Sequence, residues 1–188
     1  MKNKGWIIAG AIILLLILVF SSIAGTYNSL VTLNENVDGK WSQVENNLQR
    51  RADLIPNMVE TVKGYAAHEQ EVFTAIADAR SKLIGASGVE ESAEANDQLS
   101  GAIGRLLVLS ESYPELKADA NFQALQDELA GTENRLAVAR KDYNDAVQGY
   151  NTTIRKFPSN IFASTLGYEA RDYFEASEAA KDAPKVEF

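Results

Sequence analysis

The residue types that most often carry out chemistry in helical proteins are sparse in this sequence. It has one histidine, His68, and no cysteine, which excludes thiol catalysis, disulfides, iron–sulfur clusters and cysteine–zinc sites. A di-iron site in a helical bundle needs paired Glu-x-x-His motifs, but the residue three positions before His68 is Tyr65. A His-Glu-x-x-His metalloprotease motif cannot occur with one histidine. We interpret His68 as an exposed helix residue and predict no metal, no cofactor and no catalytic residue.

The other catalytic patterns are also unsupported. Gly85-Ala86-Ser87-Gly88 lacks the length and the lysine of a nucleotide-binding loop, and no nucleophile elbow accompanies the histidine. Carboxylates are plentiful, but acid–base catalysis requires a buried pair in a cleft, and a solvated helix face explains them without one. The sequence therefore predicts a protein that is not an enzyme, and it identifies no small-molecule substrate.

Polar residues surround a proline in the first half of the chain. Because Pro56 has no N–H and crowds the carbonyl of Ala52, we expect a kink or a short break near residues 52–56. Arg51 falls where apolar residues recur, so its guanidinium should meet a carboxylate or a bared carbonyl. Either this group is a buried layer that sets helix register, or it contacts a partner at the kink. The candidate residues are Arg50, Arg51, Asp53, Pro56 and Asn57.

Further candidates lie in the last third of the chain. Tyr143 and Tyr150 are each followed by an asparagine and stand seven residues apart, which puts both pairs on one helix face. Their rings can pack in a core while their hydroxyls reach polar partners. Structural packing and contact with a partner are both open interpretations. The candidates here are Asn134, Arg135, Tyr143, Asn144, Tyr150, Asn151, Phe162, Tyr173 and Phe174.

An uncharged apolar segment near the N-terminus covers residues 5–24. At about 1.5 Å per residue it spans about 30 Å as a helix, which is the thickness of a hydrocarbon core. We predict a single transmembrane anchor, with the lipid bilayer as the partner of this segment. The alternative is a signal peptide that is cleaved between Ala24 and Gly25.

The distribution of charge indicates an orientation and disfavours some partners. Lys2 and Lys4 precede the apolar segment, whereas Lys40 is the one basic residue in the twenty that follow it. The positive-inside rule then puts the N-terminus in the cytoplasm and the main domain outside the cell membrane. The remaining chain has 16 basic and 26 acidic residues, a formal charge of −10. Such a charge repels nucleic acid and anionic lipid headgroups, so we predict neither nucleic-acid binding nor docking through a basic patch.

A recurring apolar pattern predicts the elements that position the candidates in the first half. From Leu30 to Leu83, apolar residues recur at steps of three, four or seven, with Arg51 and Glu69 as polar interruptions. This pattern is typical of helices that pack at shallow angles. Residues 59–79 are predicted to continue as good helix beyond the proline.

The second half contains a predicted loop and two further helices. Residues 85–96 are small and polar and include three glutamates, which favours a loop. A third helix should follow and end at Pro114. The last long helix is predicted over residues 121–156, with Asp119 or Asn121 as its N-terminal cap.

Together these patterns predict an all-α fold. We expect an elongated antiparallel bundle of three to four long helices that follows an N-terminal transmembrane helix. The predicted domains are residues 1–25 for the cytoplasmic start and the anchor, 26–158 for the long-helix bundle, and 159–188 for a tail that folds back on the bundle. The alternative role of the tail is contact with a partner or with the membrane surface.

Several short motifs follow one another in a characteristic order. They are Tyr27-Asn28-Ser29-Leu30-Val31, Trp41-Ser42-Gln43, Arg50-Arg51, Asp53-Leu54-Ile55-Pro56-Asn57, Val59-Glu60-Thr61-Val62-Lys63-Gly64-Tyr65, Leu99-Ser100-Gly101-Ala102, Thr132-Glu133-Asn134-Arg135, Tyr143-Asn144-Asp145-Ala146-Val147, Tyr150-Asn151, Phe157-Pro158 and Tyr173-Phe174. In these motifs the chain resembles the LemA family. Ala52 stands where that family's pattern has a tyrosine, so any role of that ring is open here.

The resemblance implies a bacterial protein with an N-terminal transmembrane helix and an antiparallel bundle of long helices. It implies no established catalytic activity. It also conflicts with the orientation predicted from charge, because some members of the family are described with the domain inside the cell.

Three functions follow for comparison. We predict a non-enzymatic scaffold or interaction protein of the LemA family at the bacterial cell membrane, with protein partners or self-association. Contact surfaces are expected at residues 50–57 and 161–174. The alternative is an accessory or regulatory subunit of a membrane protease or phosphatase. The third is a hydrolase with an unrecognised carboxylate site, which a buried pair of acids in a cleft would favour.

Overall fold

The computed structural model describes residues 3–175, with the side chains of Trp6 and of residues 10–175. Within this range the chain forms six α-helices and no strand, which confirms the predicted all-α fold. Residues 3–39 and 145–171 form one compact unit, called here the first unit, and residues 40–144 and 172–175 belong to the second unit. The helices are α1 (Asn3–Lys63), α2 (Gln70–Gly85), α3 (Val89–Glu111), α4 (Pro114–Lys117), α5 (Ala120–Arg155) and α6 (Ser159–Leu166).

Helix α1 contains both the apolar segment and the first part of the apolar pattern. The side chains from Ile12 to Phe20 are exposed, and an 18-residue window of α1 has a mean hydropathy of 2.2. By length and composition, α1 is the one described helix that can cross a membrane. Buried residues begin at Leu30 and recur at the predicted steps of three, four or seven residues. The buried apolar residues of this part are Leu30, Val37, Val44, Leu48, Ala52, Ile55, Met58 and Val62, of which Ala52 was not part of the predicted pattern.

A turn over residues 64–69 separates α1 from α2. The prediction of continuous helix through residues 59–79 is therefore wrong in this stretch. Ala66 is buried inside the turn, so the apolar spacing continues although the helix does not. Gly64 is a local signal of the break, because glycine is a poor helix former. His68 is exposed, as predicted, but it lies in this turn and not on a helix.

Helix α3 begins earlier than the sequence predicts. The expected loop over residues 85–96 is wrong, because α3 already starts at Val89. Glu90 and Glu91 lie in the first turn of α3, where negative charge is favourable because of the unpaired N–H groups at a helix start. Oε2 of Glu91 accepts a hydrogen bond of 2.8 Å from the N–H of Ser87. Gly88 precedes the helix with a φ of +82°, a conformation that other residues rarely adopt.

Helix α5 agrees with the predicted last helix to one residue at each end. Before it, α3 ends ahead of Pro114, as predicted, and that proline begins the single turn of α4. Asp119 caps α5, because its Oδ1 accepts a hydrogen bond of 2.9 Å from the N–H of Phe122. The hydroxyl of Tyr65 donates to its other oxygen at 3.0 Å. These hydrogen bonds, that of Phe122 foremost, lower the pKa of Asp119, so the cap is ionised at neutral pH.

The described part of the tail is α6 followed by non-helical chain. α6 ends at Leu166 and is followed by Gly167, whose φ of +75° is the left-handed conformation that ends many helices. The N–H of Tyr168 then donates to the carbonyl of Ala163 at 3.0 Å. The fold-back of residues 159–188 stays a prediction, because residues 176–188 lie outside the described part. The same holds for the other predicted domain boundaries.

Candidate interaction surfaces

A buried charged layer in the second unit surrounds Arg51. Its NH1 nitrogen lies 2.6 Å from Oε2 of Glu133 on α5 and donates a hydrogen bond of 2.7 Å to Oδ1 of Asn96 on α3. The guanidinium therefore meets a carboxylate, one of the two partners that the sequence predicts. Burial lowers the pKa of Arg51, and the nearby Glu133 opposes that shift. Because the residue is only 4% exposed, sliding α1 along its neighbours would leave its charge buried without a partner.

Arg140 on α5 belongs to the same layer. Burial lowers its pKa, whereas the charges of Glu133 and Asp97 raise it, and its own charge in turn lowers the pKa of Arg51. Among the described residues, its buried Nε and NH2 nitrogens have no hydrogen-bond partner. Its Cζ instead lies 4.7 Å from the ring centroid of Phe174, a cation–π contact. The layer thus joins α1, α3 and α5 to the chain that follows α6.

A Tyr-Asn pair on α5 binds the backbone of the tail in the second unit. The hydroxyl of Tyr143 donates to the carbonyl of Asp172 at 2.8 Å. The amide of Asn144 donates to the carbonyl of Phe174 at 3.0 Å and accepts from its N–H at 2.8 Å. Trp41 packs beside them, with its ring centroid 5.3 Å from that of Tyr143. We call this arrangement, two side chains that bind main-chain atoms, a Tyr-Asn clamp.

A second Tyr-Asn clamp lies in the first unit. The hydroxyl of Tyr150 donates to the carbonyl of Glu169 at 2.9 Å. Asn151 donates to the carbonyl of Arg171 at 2.8 Å and accepts from its N–H at 2.9 Å. Both clamp residues are buried, so they contact the tail and are not available to another protein. The sequence placed these pairs on one face of α5 but did not identify the backbone as what they bind.

The side chain of Arg171 connects this clamp to α1. Its NH2 nitrogen donates hydrogen bonds of 2.9 Å to Oδ1 of Asn34 and to Oδ1 of Asp38. Its backbone is held by Asn151, so a single residue of the tail contacts both long helices of the first unit. Sequence reasoning did not select Arg171, because nothing local marks an arginine in non-helical chain as part of a contact.

Pro56 lies within α1, so of the expected kink or short break near residues 52–56 the break is wrong, and the kink stays a prediction. The missing N–H leaves the carbonyl of Ala52 without its helical donor. Arg80 on α2 supplies the replacement, because its Nε–H donates to that oxygen at 2.8 Å. The bared carbonyl is thus satisfied by an arginine that the sequence did not single out, while Arg51 pairs with a carboxylate.

The remaining candidates near the proline are exposed. Arg50 binds Oε1 of Glu128 on α5, at 3.1 Å from Nε and 2.5 Å from NH2. The hydrogen bond from this arginine is the main cause of a lowered pKa of Glu128. Asp53, Pro56 and Asn57 are exposed on the outer side of α1. These three are therefore accessible to a partner.

An open groove of about 490 Å³ lies between α1 and α5 in the second unit. Its largest apolar residue is Val138, whose surface is 62% exposed. Its charged residues are already paired, Asp142 with Lys40 at 2.8 Å and Arg135 with Glu128 at 3.3 Å. The hydrogen bond from Lys40 lowers the pKa of Asp142, which keeps that carboxylate ionised. The lining residues are Gln43, Asn46, Asn47, Asn134, Arg135, Val138, Ala139 and Asp142.

The apolar candidates of the tail differ in exposure. Phe162 on α6 is half-buried, whereas Tyr173, in the second unit, is 40% exposed. Around Phe162 in the sequence, Phe157 is 81% exposed, Ile161 54% and Leu166 51%. Ile161 and Leu166 belong to the contact surface predicted over residues 161–174, and the structure leaves both largely exposed.

The candidates therefore do not form one site. Arg51 lies in the buried layer, the Tyr-Asn pairs and Phe174 lie at the tail, and Asn134 and Arg135 line the groove. The sequence missed Arg140, although it stands four residues after Leu136 and so falls within the apolar pattern of α5.

Among the described residues, no group of three or more His, Cys, Asp or Glu side chains is placed to hold a metal ion.

Comparison with known proteins identifies relatives. A model of the LemA family matches residues 40–188. The chain is 29% identical over 186 aligned residues to magnetosome protein MamQ 2 of Paramagnetospirillum magneticum, with 85% of this chain and 68% of the relative covered. It is 26% identical over 200 residues to magnetosome protein MamQ of Magnetospirillum gryphiswaldense, covering 93% and 73%. It is 26% identical over 155 residues to protein LemA of Metamycoplasma hominis, covering 82% and 71%.

Proposed function

The chain belongs to the LemA family, and on that premise we propose that it is a single-pass bacterial membrane protein that acts as a non-enzymatic scaffold or interaction protein. The observation that carries this proposal is the composition of α1. One helix supplies both an apolar segment long enough to cross a bilayer and one wall of an open groove. The names of the relatives refer to the magnetosome or to LemA and to no reaction, which supports a role in binding.

Aromatic residues at both ends of the apolar segment support its role as an anchor. Trp6 is 84% exposed and Tyr27 is 47% exposed. They are 21 residues apart on one helix, which corresponds to about 31 Å and matches the thickness of a hydrocarbon core. Trp and Tyr are enriched at the two faces of a bilayer. Lys2 and Lys4 then favour a cytoplasmic N-terminus, with the main domain outside.

The groove is the partner site that the chemistry of its lining favours. Four amide side chains can each donate and accept hydrogen bonds, as a polypeptide backbone requires. Val138 adds exposed apolar surface, and the flanking carboxylates are held ionised by cations, which disfavours a proton-transfer role near neutral pH. The exposed residues Asp53, Pro56 and Asn57 form a second candidate surface. The buried Arg51 and the clamp residues set helix register and tail position instead.

Site-specific photo-crosslinking in intact cells tests the groove. A photoreactive phenylalanine replaces Val138 in the groove or Val108 on α3, which is 72% exposed and not among the groove residues. We expect position 138, but not position 108, to give discrete adducts that mass spectrometry identifies as one or a few proteins. Equal adducts at the two positions would refute the groove as the contact surface.

The anchor is tested separately. An uncleaved anchor predicts an intact mass that includes the apolar segment and resistance of the protein to alkaline carbonate extraction. Mature protein that begins at Gly25 would show a cleaved signal peptide instead. Protease treatment of intact cells distinguishes the two orientations, because an outward domain is digested and an inward domain is protected.

A further inference from the structure

Exposed apolar side chains collect in the first unit where α5 ends and α6 begins. Phe157, Ile161 and Leu166 are 81%, 54% and 51% exposed and lie within ten residues of one another. Single exposed apolar residues need no explanation, but a local group of large ones marks a surface that contacts something apolar. Ile161 and Leu166 belong to the predicted tail, for which the sequence left contact with the membrane surface open, and Phe157 precedes that tail by two residues.

The charge of this segment is opposite to that of the chain as a whole. No acidic residue occurs between Asp145 and Glu169, although the chain contains 26. Arg155 and Lys156 are exposed and directly precede Phe157. On α1, likewise, no acidic residue precedes Glu35. This part of the first unit is therefore the one that an anionic surface would repel least.

Hydrogen bonds within the first unit put this segment near the end of the apolar segment. Arg171 binds Asn34 through its side chain and Asn151 through its backbone, so these two positions on α1 and α5 lie at a similar level. From there α1 leads back to Tyr27 over about 10 Å, and α5 leads on toward Phe157 over a similar distance. Within the first unit, α1 runs from Gly39 back toward Tyr27, and α5 runs from Asp145 on toward Phe157. Both helices therefore run away from the boundary of the unit. Phe157 is thus near the level of the aromatic residue that marks the end of the anchor.

We propose that residues 155–166 lie in the headgroup layer of the bilayer that α1 spans. The three exposed apolar side chains insert toward the acyl chains, and Arg155 and Lys156 reach lipid phosphates, as interfacial amphipathic segments do. This inference rests on the proposed anchor. The overall charge of the chain disfavours docking through a basic patch, but the proposed contact does not need one. Insertion of the apolar side chains provides the contact, and only two cations accompany it.

Spin labelling tests the proposal in the full-length protein. The chain has no cysteine, so one introduced cysteine carries a nitroxide without a competing site. Phe157→Cys and Ile161→Cys report on the segment in proteoliposomes of phosphatidylcholine and phosphatidylglycerol. Val138→Cys is the matched control, an exposed apolar position in the second unit, and Leu16→Cys reports on the anchor. The measured quantity is the accessibility of each label to oxygen divided by its accessibility to a water-soluble nickel chelate.

We expect this ratio to be several-fold higher at positions 157 and 161 than at position 138, and lower than at position 16. If positions 157 and 161 match position 138 while position 16 is shielded from nickel, the interfacial contact is refuted and the anchor stands. Free access of nickel to position 16 would refute the anchor and this inference with it. A third outcome is that nickel reaches the label at position 161 and that dipolar broadening shows a second label nearby. A second copy of the chain would then cover the segment, which also overturns the proposal.

Discussion

The carbonyl of Ala52 offers a direct test of how α1 accommodates Pro56. Arg80 donates to this oxygen in place of the missing N–H, and Ala52 is 0% exposed, so water cannot easily replace the arginine. We expect Arg80→Met to lower the free energy of unfolding by about 1–2 kcal/mol, because a buried acceptor loses its donor. In a Pro56→Ala background the restored N–H can satisfy the same oxygen, so Arg80→Met should cost only about 0.5 kcal/mol or less. The coupling between the two positions is then about 1 kcal/mol or more.

Urea titration of the full chain in detergent measures these four variants. Trp6→Phe in every variant leaves Trp41 as the one tryptophan, and its ring lies 5.3 Å from that of Tyr143, so its fluorescence follows unfolding of the second unit. Arg50→Met is the matched control, because that guanidinium binds a carboxylate and should cost the same with and without the proline. The reasoning is refuted if Arg80→Met also costs the same in both backgrounds.

Two further predictions concern the buried layer and the clamps. Glu133→Ala should lower the free energy of unfolding by about 3 kcal/mol, because it leaves Arg51 charged and buried. Arg51→Met should cost only about 1–2 kcal/mol, because the carboxylate that it leaves is 44% exposed and can turn to water. The urea concentration at the midpoint of unfolding measures both costs, provided that the dependence of the unfolding free energy on urea is unchanged. Equal costs for the two variants would contradict the buried charge as the cause. Asn151→Ala removes two hydrogen bonds to Arg171, a local loss of about 2 kcal/mol, so the exchange of that backbone amide with solvent deuterium should accelerate about 30-fold. Asn144→Ala is the control and should leave this amide slow; an unchanged rate in Asn151→Ala would show that the clamp does not protect it.

The apolar pattern predicted most helices because burial on a helix face repeats locally. It gave α5 to within a residue at each end, and it gave most buried positions of α1 from Leu30 onward. Buried Ala52 was not in the pattern, and Trp41, which was, is only half-buried. It failed over residues 64–69, where buried Ala66 keeps the spacing through a turn. It failed again at the start of α3, where glutamates that favour a helix N-terminus look like a polar loop.

The candidate surfaces were predictable only in part. A cation on an apolar stripe needs an anion, so the kind of partner of Arg51 could be predicted, but Asn96 lies 45 residues away and its identity could not. Arg80 was equally hidden, because a side chain that replaces a backbone donor has no sequence pattern of its own. The groove could not be predicted, since it depends on which side chains of two helices leave space between them.

The Tyr-Asn clamps bind main-chain atoms and not the side chains of the tail. Any residue with an N–H can supply the same donor and acceptor, so positions such as Asp172 and Tyr173, which are exposed, can accept many substitutions without loss of docking. Proline at Arg171 or Phe174 is different, because it removes the N–H that an asparagine binds. The side chains of Arg171 and Phe174 also make contacts of their own, with α1 and with Arg140. Elsewhere the described tail is constrained in backbone conformation more than in composition, so its outward side chains can be replaced with labels or epitopes while its attachment is retained.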